Sequence, residues 1–238
     1  MVGELLRDEP ARALAVYAHP DDVEISCGGT LARWSQAGGA VHVVVCTRGD
    51  KGSVDAAVDA DVLVGTRRAE ARAAAQLLGA TGVDLLDYED GAIENDVVLR
   101  ERLVEIVRRV APDVVVCPDP TAAFFGSAYV NHHDHRVVGW ATVDACAPAA
   151  SSPLYFPASG PPHSVGLLLL SGTLEPDVWV DITLTVATKA AALRCHRSQL
   201  GGREALVDDW VRQRAAAEGA KVGVGYAECF RRIMLGAG

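Results

Sequence analysis

Residues 13–46 read ALAVYAHPDDVEISCGGTLARWSQAGGAVHVVVC. Ala13–Ala18 is a short uninterrupted apolar run, the pattern of a parallel strand covered on both faces. A helical pattern follows from about Val23 to Ala37 and stops at Gly38-Gly39. Val41–Cys46 is a second apolar run of strand length. Strand, helix and strand with no alternation of polar residues in either strand is the opening unit of a doubly wound sheet.

The same rhythm continues outward. An Ala-rich amphipathic helix spans Thr66–Leu78, a strand Val83–Leu86, a helix Val97–Val110, and a strand Val114–Cys117 after the Ala111-Pro112 break. A helix is expected from about His135 to Cys146, strands at Val165–Leu170 and Val178–Ile182, and closing helices at Thr185–Leu200 and Glu204–Glu218. The expected fold is therefore α/β: one doubly wound, mostly parallel, Rossmann-like sheet with helices on both faces, a single domain over residues 1–238. Residues 147–164 hold five of the 11 prolines, with Leu154, Tyr155 and Phe156 in the middle. They read as a packed excursion near a site or, equally, as a plain surface loop.

At roughly 100–200 residues per domain, 238 residues with 50% hydrophobic content can bury a substantial core without staples. Lys and Arg number 22 against 31 Asp and Glu, a net charge of −9. That balance disfavours phosphate backbones and anionic lipid, so neither nucleic acid nor membrane insertion is expected. The six cysteines form no CxxC pair and read as buried small hydrophobes of a reducing, cytoplasmic compartment. Homo-oligomerisation is left open.

Two segments carry chemistry. His19-Pro20-Asp21-Asp22 sits at the carboxyl end of the first buried strand, where open α/β sheets gather ligands. An Asp there is also a common helix cap, so the segment alone is balanced between the two roles. The second is Asn131-His132-His133-Asp134-His135, which holds three of the seven histidines and follows the fourth apolar strand. His132 and His135 lie three apart, so a helical turn can aim both at one point. If the first and fourth of these strands are neighbours, the loops 19–24 and 118–135 meet. Imidazole and carboxylate donors then converge as a zinc site needs, with about three protein ligands and an open position.

These two motifs, with Cys27-Gly28-Gly29-Thr30, resemble the LmbE-like (PIG-L) family of zinc-dependent N-deacetylases acting on N-acetylglucosaminyl compounds. Residues 47–52 (TRGDKG), Arg67 with Glu70, Asp90-Gly91, Val180-Asp181-Ile182-Thr183 and His196-Arg197-Ser198-Gln199 extend the likeness along most of the chain. The resemblance implies that His19, Asp22 and His135 ligate Zn²⁺, that Asp21 is the general base, and that His132, oriented by Asp134, faces the reacting carbonyl. It further implies that Arg67 and Asp90 contact the sugar or its aglycone, and that the partner is a small N-acetylated amino sugar or glycoconjugate. The chemistry is coherent: zinc acidifies a water and polarises the acyl carbonyl, a carboxylate moves the proton, and a protonated His132 meets the oxyanion. The sequence departs from the family at His133, where proline is usual. His133 is expected to be solvated or to stand behind the ligands, with ligation as the alternative. His196 reads as structural, as do His42 and His163. For Phe124, Phe125 and Tyr129, core packing is preferred over a pocket wall. The rival readings are a Mg²⁺-dependent phosphotransfer domain, a cysteine hydrolase built on Cys117, an amidase for another N-acyl conjugate, and a zinc protein without turnover.

Overall fold

In the computed structural model, which describes residues 3–236, the opening unit forms as its pattern requires. A two-residue strand, Glu4–Leu5 (β1), precedes Arg12–Tyr17 (β2), the helix Asp22–Gln36 (α1) and Ala40–Thr47 (β3). Along β2, Ala13, Ala15 and Tyr17 enter one hydrophobic layer while Leu14 and Val16 enter the other. Both faces are covered, so no polar residue is needed on either. The chain continues through α2 (Ala60–Leu77), β4 (Gly82–Tyr88), α3 (Val97–Val110) and β5 (Val114–Pro118). A hairpin, β6 (Phe124–Phe125) and β7 (Tyr129–Val130), then leads into α4 (His133–Asp144), which ends in a π-helical turn at Ala145–Ala149. Next come β8 (Leu167–Ser171), β9 (Val178–Asp181), α5 (Val186–Leu193), α6 (Arg197–Leu200), a 3₁₀ turn at Glu204–Leu206, α7 (Val207–Val222) and β10 (Ala227–Met234).

The main sheet has the order β1-β9-β10-β8-β5-β2-β3-β4. Its strands pair in parallel except β10, which runs antiparallel between β8 and β9. The expected adjacency of the first and fourth apolar strands is present: Ala13, Leu14 and Ala15 of β2 register with Val114, Val115 and Val116 of β5. From β2 the chain crosses to β3 on one side and later returns to β5 on the other. The carboxyl ends of β2 and β5 therefore flank a topological switch point, where the following loops diverge and leave a crevice. Apolar residues of α1, α2, α5 and α7 fill one layer; those of α3 and α4 fill the other.

Helix α1 is held from outside its own ladder. Lys189 Nζ on α5 donates to the Ile25 carbonyl (2.8 Å), and the Glu228 carboxylate on β10 accepts from the Gly29 and Thr30 N–H groups (3.0 and 2.7 Å). Lys189 and Glu228 pair at 2.5 Å, both almost fully buried. A Cβ on Gly29 would lie 2.7 Å from Ile182 Cδ1, so glycine is what permits this approach.

Three expectations are corrected. The helix expected over Thr185–Leu200 is broken into α5 and α6, because His196 turns inward to Glu24 of α1. β10 was not expected; its Arg231 and Arg232 mask the apolar pattern by reaching out to Glu175 and Glu4. The proline-rich segment is packed by Arg108 of α3, whose guanidinium donates to the carbonyls of Ala149, Ala150, Ser152, Tyr155 and Phe156. It thus lies on the α3–α4 face, and none of its residues lines the crevice beside β2 and β5. Among the described residues no helix is long and apolar enough to cross a membrane.

Candidate metal centre and active site

The loop after β2 turns sharply. Asp21, the N-cap of α1, adopts φ 114°, a conformation that costs a non-glycine residue about 1–3 kcal/mol and that clusters at functional sites. The turn lets Asp22 fold back so that its carboxylate accepts from the His19 N–H (2.8 Å). Across the crevice, α4 begins at His133, and its first turn presents His135 to the same point. His19 Nδ1 stands 3.1 Å from His135 Nε2 and 3.2 Å from Asp22 Oδ2, while Asp22 Oδ1 is 3.1 Å from His135 Nε2. Two imidazoles and a carboxylate thus share one focus, with their donor atoms within 4.8 Å of one another.

Each imidazole is braced from behind. His135 Nδ1 meets Asn131 Oδ1 at 3.0 Å. His19 Nε2 meets Asp134 Oδ2 at 3.1 Å and Asp90 Oδ1 at 3.2 Å. Asp134 in turn accepts from the Gly91 N–H at 2.7 Å. Metal-ligating histidines are characteristically oriented in this way, and the mixed N/O donor set suits a divalent transition ion. The residues present therefore fit a metal. Burial opposes a charge on Asp22, but His135 and His19 hold its carboxyl far below the usual range. Burial likewise opposes a charge on His19, yet its bonds to Asp134, Asp22 and Asp90 push it up to about 12.

Asp21 lies next to the focus and in a different environment. Burial, together with the charge on Asp22, raises its carboxyl to about 7, against the pull of Arg67. Arg67 is itself buried: its guanidinium donates to the carbonyls of Pro20 (2.7 Å) and Gly49 (2.9 Å) and stands 3.6 Å from Asp21 Oδ2. A Cβ on Gly49 or Gly52 would come within 2.3 Å of its Nη1, so residues 49–52 wrap onto the guanidinium.

His132 caps α4, its Nδ1 accepting the Asp134 N–H at 3.2 Å. That bond leaves Nε2 to carry the proton of the neutral ring. Burial and the neighbouring His19 lower its pKa. The Asp134 carboxylate is 3.9 Å from His132 Nδ1, beyond hydrogen-bond range, and is bonded to His19 instead. His133 turns away, its Nε2 meeting the Ile93 carbonyl at 3.1 Å. A cleft of about 330 Å³ opens over Asp22 and His135, and Phe125, Tyr129, Asn131 and Arg214 form part of its wall. The hairpin aromatics are thus not core: Phe124 and Tyr129 are exposed.

Sequence reasoning gave no role to Asn131, Glu24 or Gly91. The His196–Gln199 motif proves to be a brace: His196 Nε2 meets Glu24 at 3.0 Å, Ser198 donates twice to Glu70, and Gln199 donates to the Gly52 carbonyl. Cys117 is fully buried, and burial drives its thiol well above the ordinary value, which disposes of it as a nucleophile.

Fold and site together define an α/β enzyme with a two-histidine, one-carboxylate centre at its switch point. The family model for PIG-L, described as GlcNAc-PI de-N-acetylase, matches residues 14–146, and the chain belongs to that family. The diacetylchitobiose deacetylase of Thermococcus kodakarensis is 30% identical over 79% of this chain and 70% of its own length. A 1D-myo-inositol 2-acetamido-2-deoxy-alpha-D-glucopyranoside deacetylase of Kineococcus radiotolerans is 35% identical over 60% of this chain; the chain spans 46% of that relative. Among solved structures, the N,N'-diacetylchitobiose deacetylase of Pyrococcus horikoshii, complexed with its inhibitor, superposes with a TM-score of 0.86 at 31% identity, covering 95% of this chain and 85% of that one. GalB, the 4-carboxy-2-hydroxymuconate hydratase of Pseudomonas putida, superposes with a TM-score of 0.78 at 25% identity, covering 95% and 98%. The curated relatives are deacetylases, which places the chain among hydrolases acting on amide bonds.

Proposed function

We propose that the chain is a zinc-dependent N-deacetylase of small N-acetylated amino sugars or their glycosides. The observation that carries this reading is the common focus of His19, Asp22 and His135 with a second, differently poised carboxylate, Asp21, on the adjoining residue. The names of the relatives supply the substrate class.

A zinc ion held by His19, Asp22 and His135 would acidify a water molecule and polarise the acyl carbonyl. Asp21, on the residue adjoining the ligand Asp22, takes a proton from the attacking water as its oxygen bonds to the acyl carbon. The C–N bond then breaks, and Asp21 returns that proton to the departing nitrogen, giving acetic acid and a free amine, which exchange a proton to become acetate and ammonium at neutral pH. His132 serves the oxyanion through its neutral Nε2–H, since its Nδ1 is occupied as an acceptor. Asp134 and Asp90 hold His19 in orientation, and Arg67 anchors the turn that carries Asp21. On this reading the described residues form one deacetylase domain, and the six free cysteines suit a reducing compartment such as the cytoplasm.

The test is metal analysis joined to an amine-release assay on N-acetylglucosaminides. Zinc should bind at one ion per chain, chelation should abolish turnover, and Asp21→Asn should keep the metal while losing at least about a hundredfold in kcat. Normal turnover by metal-replete Asp21→Asn would overturn the base assignment. The likeness to GalB supports a second reading, a hydratase using the same centre; it requires turnover of 4-carboxy-2-hydroxymuconate and no amine release.

A further inference from the structure

Two recesses meet along α1, with Ile25 in the wall of both. The one over Asp22 and His135 is mixed, with Asn131, Ser171 and Arg214 in its wall beside Phe125 and Tyr129. The other, of about 350 Å³, has Asp21, His196, Gln199 and Arg203 in its wall but presents a largely apolar surface, formed by Leu193 of α5, Leu200 of α6, Leu206 of the 3₁₀ turn and Trp210 of α7. That size falls within the range of about 300–1,000 Å³ usual for ligand pockets. Leu206 and Trp210 are left 60% and 42% exposed beside a carboxylate, a placement that packing does not require. The Arg214 guanidinium lies 5.6 Å from the Trp210 ring centre, which steadies the indole.

We propose that this second recess is a specificity subsite for an apolar aglycone, aromatic or alkyl, carried by the amino sugar. The inference rests on the deacetylase reading. A group that returns a proton to the departing nitrogen must come within about 2.6–3.2 Å of it, so the amine-bearing half of the substrate faces Asp21. The acyl half is then directed toward the cleft over His135. A pyranose ring is itself polar, so what fills a Leu- and Trp-lined recess is the group attached to the ring. Trp210 offers it a flat apolar face.

The experiment compares free N-acetylglucosamine with its phenyl and octyl β-glycosides on the zinc-loaded enzyme. The glycosides should have kcat/KM about tenfold higher, chiefly through KM, as expected for one apolar group buried at some ordering cost. Leu206→Glu, at a position exposed enough to tolerate it, and Trp210→Ala should bring the ratio of glycoside to free sugar close to one. A wild-type ratio near one, or a ratio unmoved by both variants, overturns the proposal. Equilibrium binding of the phenyl glycoside, followed by intrinsic tryptophan fluorescence in the presence of chelator, reads the recess without turnover. Binding about tenfold tighter than the free sugar and lost in Leu206→Glu supports the subsite, and equal binding refutes it. Failure of the deacetylase reading shows separately, as absence of amine release from every one of these compounds.

Discussion

Replacing Arg67 by methionine should remove about 3–5 kcal/mol of stability and most of the activity together. The guanidinium is 3% exposed and makes two charge-assisted hydrogen bonds, to Pro20 O and Gly49 O, at 2.7 and 2.9 Å. Each is worth about 1.5–3 kcal/mol, and methionine recovers the packing of the stem but leaves both carbonyls without that donor. In urea, with a slope of about 3 kcal/mol/M, the unfolding midpoint should fall by about 1 M or more. Turnover should fall because the Pro20 carbonyl adjoins Asp21, whose backbone sits at φ 114° only while the surrounding turn is held. Arg67→Lys, which keeps the charge and loses the fork, should lie between the two. An unchanged midpoint with a rise in KM alone would refute this reasoning. It would show instead a guanidinium free to meet substrate, as the family likeness implies.

Other consequences are open to the same kind of check. Asn131→Ala, which frees His135 Nδ1, should weaken zinc affinity about 10–100-fold in a chelator competition, and, by removing the bond to the buried Ala122 carbonyl, should cost the metal-free protein about 1–3 kcal/mol in denaturant. Lys189→Met leaves the buried Glu228 carboxylate without its counter-ion and should cost about 3–5 kcal/mol by chemical denaturation. Burial works to raise the Asp84 carboxyl, but bonds from His42 and Arg109 bring it below the ordinary value. A depressed carboxylate adds stability above its unfolded pKa of about 3.9 and loses it as pH falls through the lower folded value. Asp84→Asn should accordingly flatten the acid side of a Tm-against-pH curve between pH 5 and 2, and an unaltered slope there would show that the pair contributes nothing.

How much could be read beforehand depended on whether the determinant was local. The strands Ala13–Ala18, Val41–Cys46 and Val114–Cys117 announce themselves because burial on both faces demands apolar residues without interruption. HPDD and HHDH stand out because ligand-type residues are dense and lie at strand ends. β10 escaped notice because the apolar signal of Ala227, Phe230 and Ile233 is broken by arginines that find partners only across the sheet. Phe125 and Tyr129 could not be told from core residues, since an aromatic side chain packs equally well in a core or along a cleft.

The α/β class and two His/Asp loops at strand ends were legible in the sequence, because periodicity and motif density are properties of neighbouring residues, and the family likeness named the ligand set. What each of these side chains faces emerged only in three dimensions. Asp134 braces His19 in place of His132, His133 points to Ile93, and Arg67 lies beneath the Asp21 turn. Such roles are set by contacts across tens of residues, 115 between His19 and Asp134 and 47 between Pro20 and Arg67. They exist only once the sheet order has brought the carboxyl ends of β2 and β5 side by side.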